Sequence, residues 1–510
     1  MTRVPLPTSA QPGAYVEQPR GFDLFALPGV RRFVRWKYAR FALQLPLLIL
    51  ALFVIVDGFT GRQLAPRNVA TTASWLHYRG LVVVAIALLG NAFCAACPLM
   101  LTRGPANAFK RLLPFQLRWP NALRNKWFVA LLLLAVFYAY EAFDLWASPW
   151  LSAWLAVAYF AGAFAIDAFF PAGTFCRYVC PLGNFNFLFA SVSPTQITAR
   201  DPNVCHTCAD KPCLHGRETH ATPQEARSDR AFIPLNEITH ANGQGVFPGC
   251  ETNLFVPTMT SNMDCTSCMN CVRACPYDNV ALTVRSPAWE LSRQPWRRRW
   301  GSPVLLLAIL MLFWGLLNAV AMIPPFYDFA ETLARITGSR DDRVLLALIF
   351  AVFSVAGLAL SMTAALTSDV VGGAGASFER ALHRWGYVFV ALGFGFWAAH
   401  YLFHFFTGAA SIYPVFQHFF AWRGADIDPN WAIARWMPSA WMFPISAGVS
   451  GAYALLSAYL TVHIAVRDFG RKAAVAMWPM LLLVVALTAL QILVLAQPME
   501  MRGTLLGPQP

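Results

Sequence analysis

The sequence is short of charge. Only 13% of its 510 residues are Asp, Glu, Lys or Arg, while 57% are hydrophobic and 14% aromatic. A soluble chain of this length carries about twice that charge share, so long apolar runs rather than two or three solvated domains account for the composition. Several motifs are missing as well. There is no Gly-rich nucleotide-binding loop, no flavin motif, no Cys-x-x-Cys-His haem attachment site and no spacing that argues for a Ser–His–Asp arrangement. The Pro- and Arg-rich first forty residues lack a short apolar core followed by a small-residue cleavage site, so the first apolar stretch reads as an uncleaved span. Scarce acid leaves a net charge of +13. The basic residues stand beside apolar runs rather than on one polar face, which excludes nucleic acid as a partner and points to a membrane.

The expected fold class is a polytopic α-helical membrane protein with an inserted, water-exposed, ferredoxin-like domain. Runs of about 20 apolar residues, the length that crosses a bilayer as helix, lie near 41–58, 80–100, 127–145 and 150–170, then near 302–323, 343–366, 384–407, 440–463 and 474–496. That makes nine spans, with a shorter aromatic run at 411–422 read as interfacial. Basic clusters give the orientation: Arg31, Arg32, Arg35, Lys37 and Arg40 before the first span, then Arg103, Lys110, Arg111, Arg118, Arg124 and Lys126 between the second and third. Arg297, Arg298 and Arg299 precede the fifth, and Arg467, Arg471 and Lys472 follow the eighth. All agree on one topology in the inner (cytoplasmic) membrane, with the N-terminus and residues 194–296 in the cytoplasm and the C-terminus outside. The domains are then 1–40, a cytoplasmic segment; 41–193, four spans; 194–296, the inserted domain; and 297–510, five spans.

Twelve cysteines are grouped at short spacings, eight of them in the polar interval. On the reducing side of a membrane this favours metal over disulfides. The sharpest run is Cys265-x2-Cys268-x2-Cys271-x3-Cys275-Pro276. Two-residue spacings let one tight turn supply three thiolates to a cubane cluster, while the fourth begins the next element. Zinc sites usually take two Cys-x-x-Cys pairs far apart, and four cysteines ending in Cys-Pro fit that poorly. A looser set, Cys205-x2-Cys208-x4-Cys213 with Cys250 later, implies a second [4Fe–4S] cluster. Since the fourth cysteine of each run ligates the other cluster in two-cluster ferredoxins, the natural division is Cys205, Cys208, Cys213 and Cys275 for one and Cys265, Cys268, Cys271 and Cys250 for the other. The x4 spacing and the missing Pro after Cys213 leave unswapped ligation or a three-cysteine [3Fe–4S] centre open.

Two pairs lie outside this domain: Cys94-x2-Cys97-Pro98 and Cys176-x3-Cys180-Pro181. Spacings of three and four put both thiols of a pair on one helix face, and the following Pro ends or kinks the helix. Side by side, the two helix ends would offer four thiolates to a metal, a cluster or a disulfide; the plainer reading is inert buried cysteine.

The stretch 80–285, with CAACPLM, CRYVCPLGNFNF, CHTCADKPC and CTSCMNCVRACPYD, resembles the membrane-bound polyferredoxins. That group includes the membrane subunit of the periplasmic nitrate reductase quinol dehydrogenase, the nitrous oxide reduction regulator and the ferredoxin-like cytochrome oxidase assembly factor. The resemblance implies electron transfer between the quinone pool, or a membrane partner, and the clusters, with other redox proteins of a respiratory complex as partners. It does not reach residues 297–510. The outer flavin domain of the nitrous oxide regulator is absent, and five spans stand where the oxidase assembly factor has a soluble domain.

Histidine is rare inside bilayers, so the C-terminal histidines are informative. His383 and His463 fall at the cytoplasmic ends of the seventh and eighth spans, His400 and His404 at the outer end of the seventh, and His418 in the outer loop. Each face thus offers a pair to a bis-histidine b haem. His383 and His404 stand roughly 31 Å apart along an ideal helix, too far to share one. The alternative is that these histidines are interfacial anchors among Trp and Tyr. Glu141 and Asp144 near the outer end of the third span are candidate proton acceptors for a quinol or simply reach interfacial water, and Asp167 lies inside the fourth. The loop 408–439, with Trp422, Trp431 and Trp436, is a docking surface or a lid. The function expected is quinol-linked electron transfer. The alternatives are a maturation factor that reduces a metal or thiol through Cys94/Cys97 and Cys176/Cys180, and a redox sensor without turnover.

Overall fold

A computed structural model describes residues 16–36, 38–113, 115, 117–220, 244–297, 301–435 and 437–499. Lys37, Arg298, Arg299 and Trp436, all singled out above, lie outside the described residues. The protein is a helical membrane protein. Seven helical stretches are long and apolar enough to cross a bilayer, and Trp127–Ala142 is a shorter apolar helix.

The helices are α1 (Ala39–Thr60), α2 (Val69–Leu89), α3 (Trp127–Ala142), α4 (Pro149–Phe169), α5 (Gly301–Val320), α6 (Pro324–Thr337), α7 (Asp342–Gly372), α8 (Phe378–Gly408), α9 (Ile412–Ala421), α10 (Met442–Phe469) and α11 (Ala473–Leu495). The stretch Met442–Leu495 is two helices, because the chain turns at Gly470 and α10 packs back against α11. One boundary departs clearly from the sequence reading. The second span starts at Val69, where the Asn68 side chain accepts the Ala70 N–H, and stops before Gly90, whose φ of 63° ends the helix. Hydropathy misses this start because His77 and Arg79 lie within it, both buried and hydrogen-bonded. Cys94 and Cys97 consequently sit beyond the helix, on and just after the short helix Ala92–Ala96.

The core of the C-terminal half is α8, packed by α5, α10 and α2. Without a hydrophobic driving force between helices in lipid, close approach at small residues supplies the contact. At Gly395 an added Cβ would come within 2.6 Å of Tyr453 on α10, and at Gly315 on α5 it would come within 2.8 Å of Trp397 on α8. α3 bridges the halves, touching α5 and α7. α9, the run read as interfacial, packs Phe416 and Phe419 against Phe53 of α1.

Between α4 and α5 the chain leaves the helices and returns. Its outgoing strand β1 (Thr195–Ala199) pairs antiparallel with the returning β4 (Val280–Val284), Thr195 opposite Val284 and Ala199 opposite Val280. This closes the segment that carries eight cysteines. A smaller antiparallel pair, β2 (Arg217–His220) with β3 (Gln244–Phe247), lies inside it. A compact apolar core of Phe25, Ile197, Leu254, Val256, Val272 and Val280 backs the cysteines. Phe25 belongs to the N-terminal segment, which is not separate. Asp23 bridges Thr283, Gln18 reaches Val256 and Ala199, and Arg31 and Arg35 pair with Asp278.

Candidate functional site

Cys205, Cys208, Cys213 and Cys275 line one pocket, walled by Phe255, Val256 and Val280. Three of the thiols come from the loop after β1, and the fourth is the last cysteine of the other run. Burial first, and then Cys205, Cys275 and Cys208, push the Cys213 thiol up to about 12 against the Val256 N–H, which lowers it. The remaining cysteines form a second neighbourhood. Burial raises Cys271 well above the ordinary thiol range, and Cys268, Cys250 and Cys265 add to it. Cys265 is pushed up to about 12 by burial, with Cys250 and Cys268 contributing. The eight thiols therefore fall into two quartets, and each takes a member from far along the chain.

The backbone around them is held in costly conformations. Of the eight non-glycine residues with positive φ, six lie within three residues of a cysteine in these quartets: Lys211, Asn253, Asp264, Ser267, Met269 and Asp278. Left-handed residues cost energy and persist where surrounding structure over-determines them. At Asn253 and Asp278 the turn aims the N–H of the next residue at a cysteine sulfur. Leu254 N–H donates to Cys250 Sγ at 3.2 Å and Asn279 N–H to Cys275 Sγ at 3.3 Å, while the Asn279 side chain donates to Cys205 Sγ at 3.2 Å. Asn279 is invisible to cysteine spacing, although its place four residues after Cys275 is where a helix-like turn brings an N–H back.

Among the described residues no group of three or more His, Cys, Asp or Glu is gathered closely enough to hold a metal ion. One zinc at about 2.3 Å from each sulfur draws tetrahedral thiolates to within about 4 Å of one another. A cubane binds each cysteine at a different iron and so takes them wider apart. Thiols lining one pocket, N–H donors aimed at sulfur and an apolar wall are features that suit a cysteine-held cluster.

Two ionic knots fasten this domain to the helix ends. Asp264, fully buried beside Cys265, pairs with Lys126 at 2.7 Å and Arg177 at 2.9 Å. Lys126 also donates to Asn184 Oδ1 at 2.6 Å and the Arg177 carbonyl at 3.0 Å. Glu251, next to Cys250, pairs with Arg40 and with Arg103 at 2.6 Å, and Arg103 reaches Asp167 at 2.9 Å. Burial raises the Glu251 pKa, but Arg103 and Arg40 outweigh it and hold the carboxyl at about 2. The ion-paired partners are 64 to 211 residues apart in sequence, and no local pattern announces them.

The membrane cysteine pairs also meet. Helix Pro181–Phe189, which Cys180 begins, lies over both: Gly183 N–H donates to Cys180 Sγ at 3.2 Å and Asn186 Nδ2 to Cys94 Sγ at 3.6 Å. Cys176 Sγ approaches Met100 Sδ at 3.3 Å.

The histidines are dispersed. His400 and His404 face each other on α8, Nε2 to Nε2 at 3.2 Å. His418 stacks on Trp422, His463 on Tyr459 one turn before it, and His383 meets Ser302 Oγ at 3.4 Å. Glu141 lines a pocket with Phe137, Trp314, Asn318 and Phe350, and it accepts from Asn318 Nδ2 at 3.0 Å. Asp144, in contrast, takes a left-handed turn at the helix end. Asn318 and Trp314 come from α5, so the pocket spans both membrane halves. No family model, curated protein or solved structure matches the chain.

Proposed function

We propose that the chain is an electron-transfer protein of the inner (cytoplasmic) membrane, crossing it nine times, with residues 194–296 on the cytoplasmic side holding two [4Fe–4S] clusters. Cys205, Cys208, Cys213 and Cys275 hold one; Cys250, Cys265, Cys268 and Cys271 hold the other. The observation that carries this reading is that Cys275 lines a cavity with three cysteines of the other run, the exchange of fourth ligands that adjacent clusters in one small domain use. When bound, the clusters supply one-electron carriers. The protein's own part is to exclude water with Phe255, Val256 and Val280, to direct N–H groups at sulfur, and to fasten the domain to the helix ends through Asp264 and Glu251. Hydrogen bonds and burial of this kind set cluster potentials. The resemblance to the membrane-bound polyferredoxins makes the quinone pool or a membrane partner one terminus and another redox protein the other.

The test is spectroscopic. Protein purified without oxygen should carry at least about eight irons and eight sulfides per chain for two cubanes, and reduction by a quinol analogue in membranes should elicit their electron paramagnetic resonance. Iron-free protein, or zinc in these sites, would refute the proposal. Sharp b-type bands in a reduced-minus-oxidised spectrum would add haem to residues 297–510, and their absence leaves the histidines structural.

A further inference from the structure

We propose that Cys94, Cys97, Cys176 and Cys180 hold a third cubane iron–sulfur cluster, set between the membrane helices and the inserted domain. The inference rests on the electron-transfer reading above and adds a site that the reading does not need.

Four observations carry it. First, the two pairs, more than seventy residues apart in sequence, converge on one helix: Pro181–Phe189 donates from Gly183 to Cys180 and from Asn186 to Cys94. Cys176 Sγ lies 3.3 Å from the sulfur of Met100, in the turn that follows Cys97, and Cys176 and Cys180 pack in one cluster with Leu99.

Second, three of the four sulfurs have a hydrogen-bond donor: Gly183 N–H serves Cys180, Asn186 serves Cys94, and Arg103 Nη2 serves Cys176 at 3.8 Å. A neutral buried thiol needs no such provision, being a weak acceptor that behaves as a small hydrophobe. Thiolates bound to iron do need it. The ferredoxin cysteines are treated alike, with N–H donors from Leu254, Asn279 and Val256.

Third, cations stand beside these cysteines. Four thiolates around an oxidised cubane carry a net negative charge, which is costly to bury unless cations stand close. Arg103 touches Cys176, and Arg40 and Arg103 both act on Cys97. The same two arginines grip Glu251.

Fourth, the backbone at the second pair is a π turn, Phe175–Val179, closed by Cys180 N–H to the Phe175 carbonyl at 2.7 Å. Turns of this width inside helices concentrate at functional sites. The position of the group gives it a use: it lies at the helix ends to which Glu251 and Asp264 of the inserted domain are ion-paired.

The experiment counts iron and acid-labile sulfide in the full-length protein, purified anaerobically in detergent, and quantifies cubanes by Mössbauer spectroscopy. The wild type should hold about twelve irons, and C94S/C97S about eight, since each cubane takes four; the variant should keep both ferredoxin resonances. Should that variant not fold, the wild-type Mössbauer count decides alone, supported by C180S. Eight irons in the wild type, with these four cysteines titrating as free thiols or found as disulfides, overturns the third cluster and leaves the function intact. Stoichiometric zinc or copper lost with C94S/C97S also overturns it. No iron at all fails the function reading instead.

Discussion

Removing the carboxylate of Asp264 tests whether the inserted domain is held to the membrane helices by charge. Asp264→Asn leaves Lys126 and Arg177 facing a neutral amide in a site where the aspartate is wholly buried and the lysine nearly so. Breaking a buried ion pair by removing one partner costs about 3–5 kcal/mol, because the orphaned charge stays desolvated. The lower end applies here. Lys126 keeps Asn184 Oδ1 and the Arg177 carbonyl, and Arg177 keeps the Thr252 carbonyl. A loss of about 3 kcal/mol is a change of about a hundredfold in the population of the undocked domain. Hydrogen exchange of the 250–270 segment in detergent-solubilised protein reads this directly, since those amides open when the domain lifts. A second substitution, Lys126→Met, should recover part of the loss by removing one unmatched cation. If D264N exchanges within about threefold of wild type, a difference of under about 0.7 kcal/mol, the knot is incidental and other contacts hold the domain.

Three further outcomes are expected. Cys275→Ser should cost the cluster held by Cys205, Cys208 and Cys213 while the resonance of the other persists, and Cys250→Ser should do the reverse; loss of the opposite resonance in each would establish unswapped ligation. Glu251 has a folded pKa of about 2 against an ordinary 4.5, so its stabilisation is complete above about 4.5 and is lost as pH falls toward about 2; proteolysis of the inserted domain should accelerate over that window in wild type and show no such dependence in E251Q. Glu141→Gln should weaken binding of a quinone analogue about tenfold or slow quinol-dependent reduction without changing iron content, and an unchanged titration in E141Q would remove the pocket between α3 and α5 from consideration as a quinol site.

The parts of this architecture that read out of the sequence are those written locally. Apolar runs of helical length fall on helices because lipid forces the backbone to satisfy itself within each segment. The boundary missed most clearly, at Val69, was hidden by His77 and Arg79, whose polarity is absorbed by partners hydropathy does not see: the Thr72 and Ala409 carbonyls for His77, the Tyr140 hydroxyl for Arg79. Cysteine spacing marks the two runs, and the knowledge that such runs exchange ligands suggests the division. Spacing says nothing of Asn279, Asn186 or Gly183, which serve sulfur atoms from other turns, nor of Asp264 and Glu251. The sequence marks the N-terminal segment as a domain of its own, 1–40, and its place in the fold is not written in its residues. It is ordered by what it meets: Phe25 enters the cysteine domain's core, and Arg31 and Arg35 meet Asp278.

The cations that signal orientation are the same ones that receive the inserted domain. Arg31, Arg35, Arg40, Arg103 and Lys126 all belong to the basic clusters flanking the first three spans, and each makes an ion pair with Asp278, Glu251 or Asp264. Two demands thus fall on one set of side chains. A positive flank keeps its end of a helix on the cytoplasmic side, and a domain that presents Glu251, Asp264 and Asp278 needs cations at the surface it docks on. A flank that retained its charge by Arg-to-Lys exchange would still satisfy the first demand, which reads charge alone. It would fail the second at Arg103, whose guanidinium bonds Asp167, Glu251 and Cys176 at once, a fan of contacts that an ammonium on a flexible stem does not reproduce. Arg103→Lys should therefore insert with unchanged topology, as read by labelling of loop residues, yet lose protection of the Glu251 segment. Equal protection in the two proteins would mean that the flank serves orientation only.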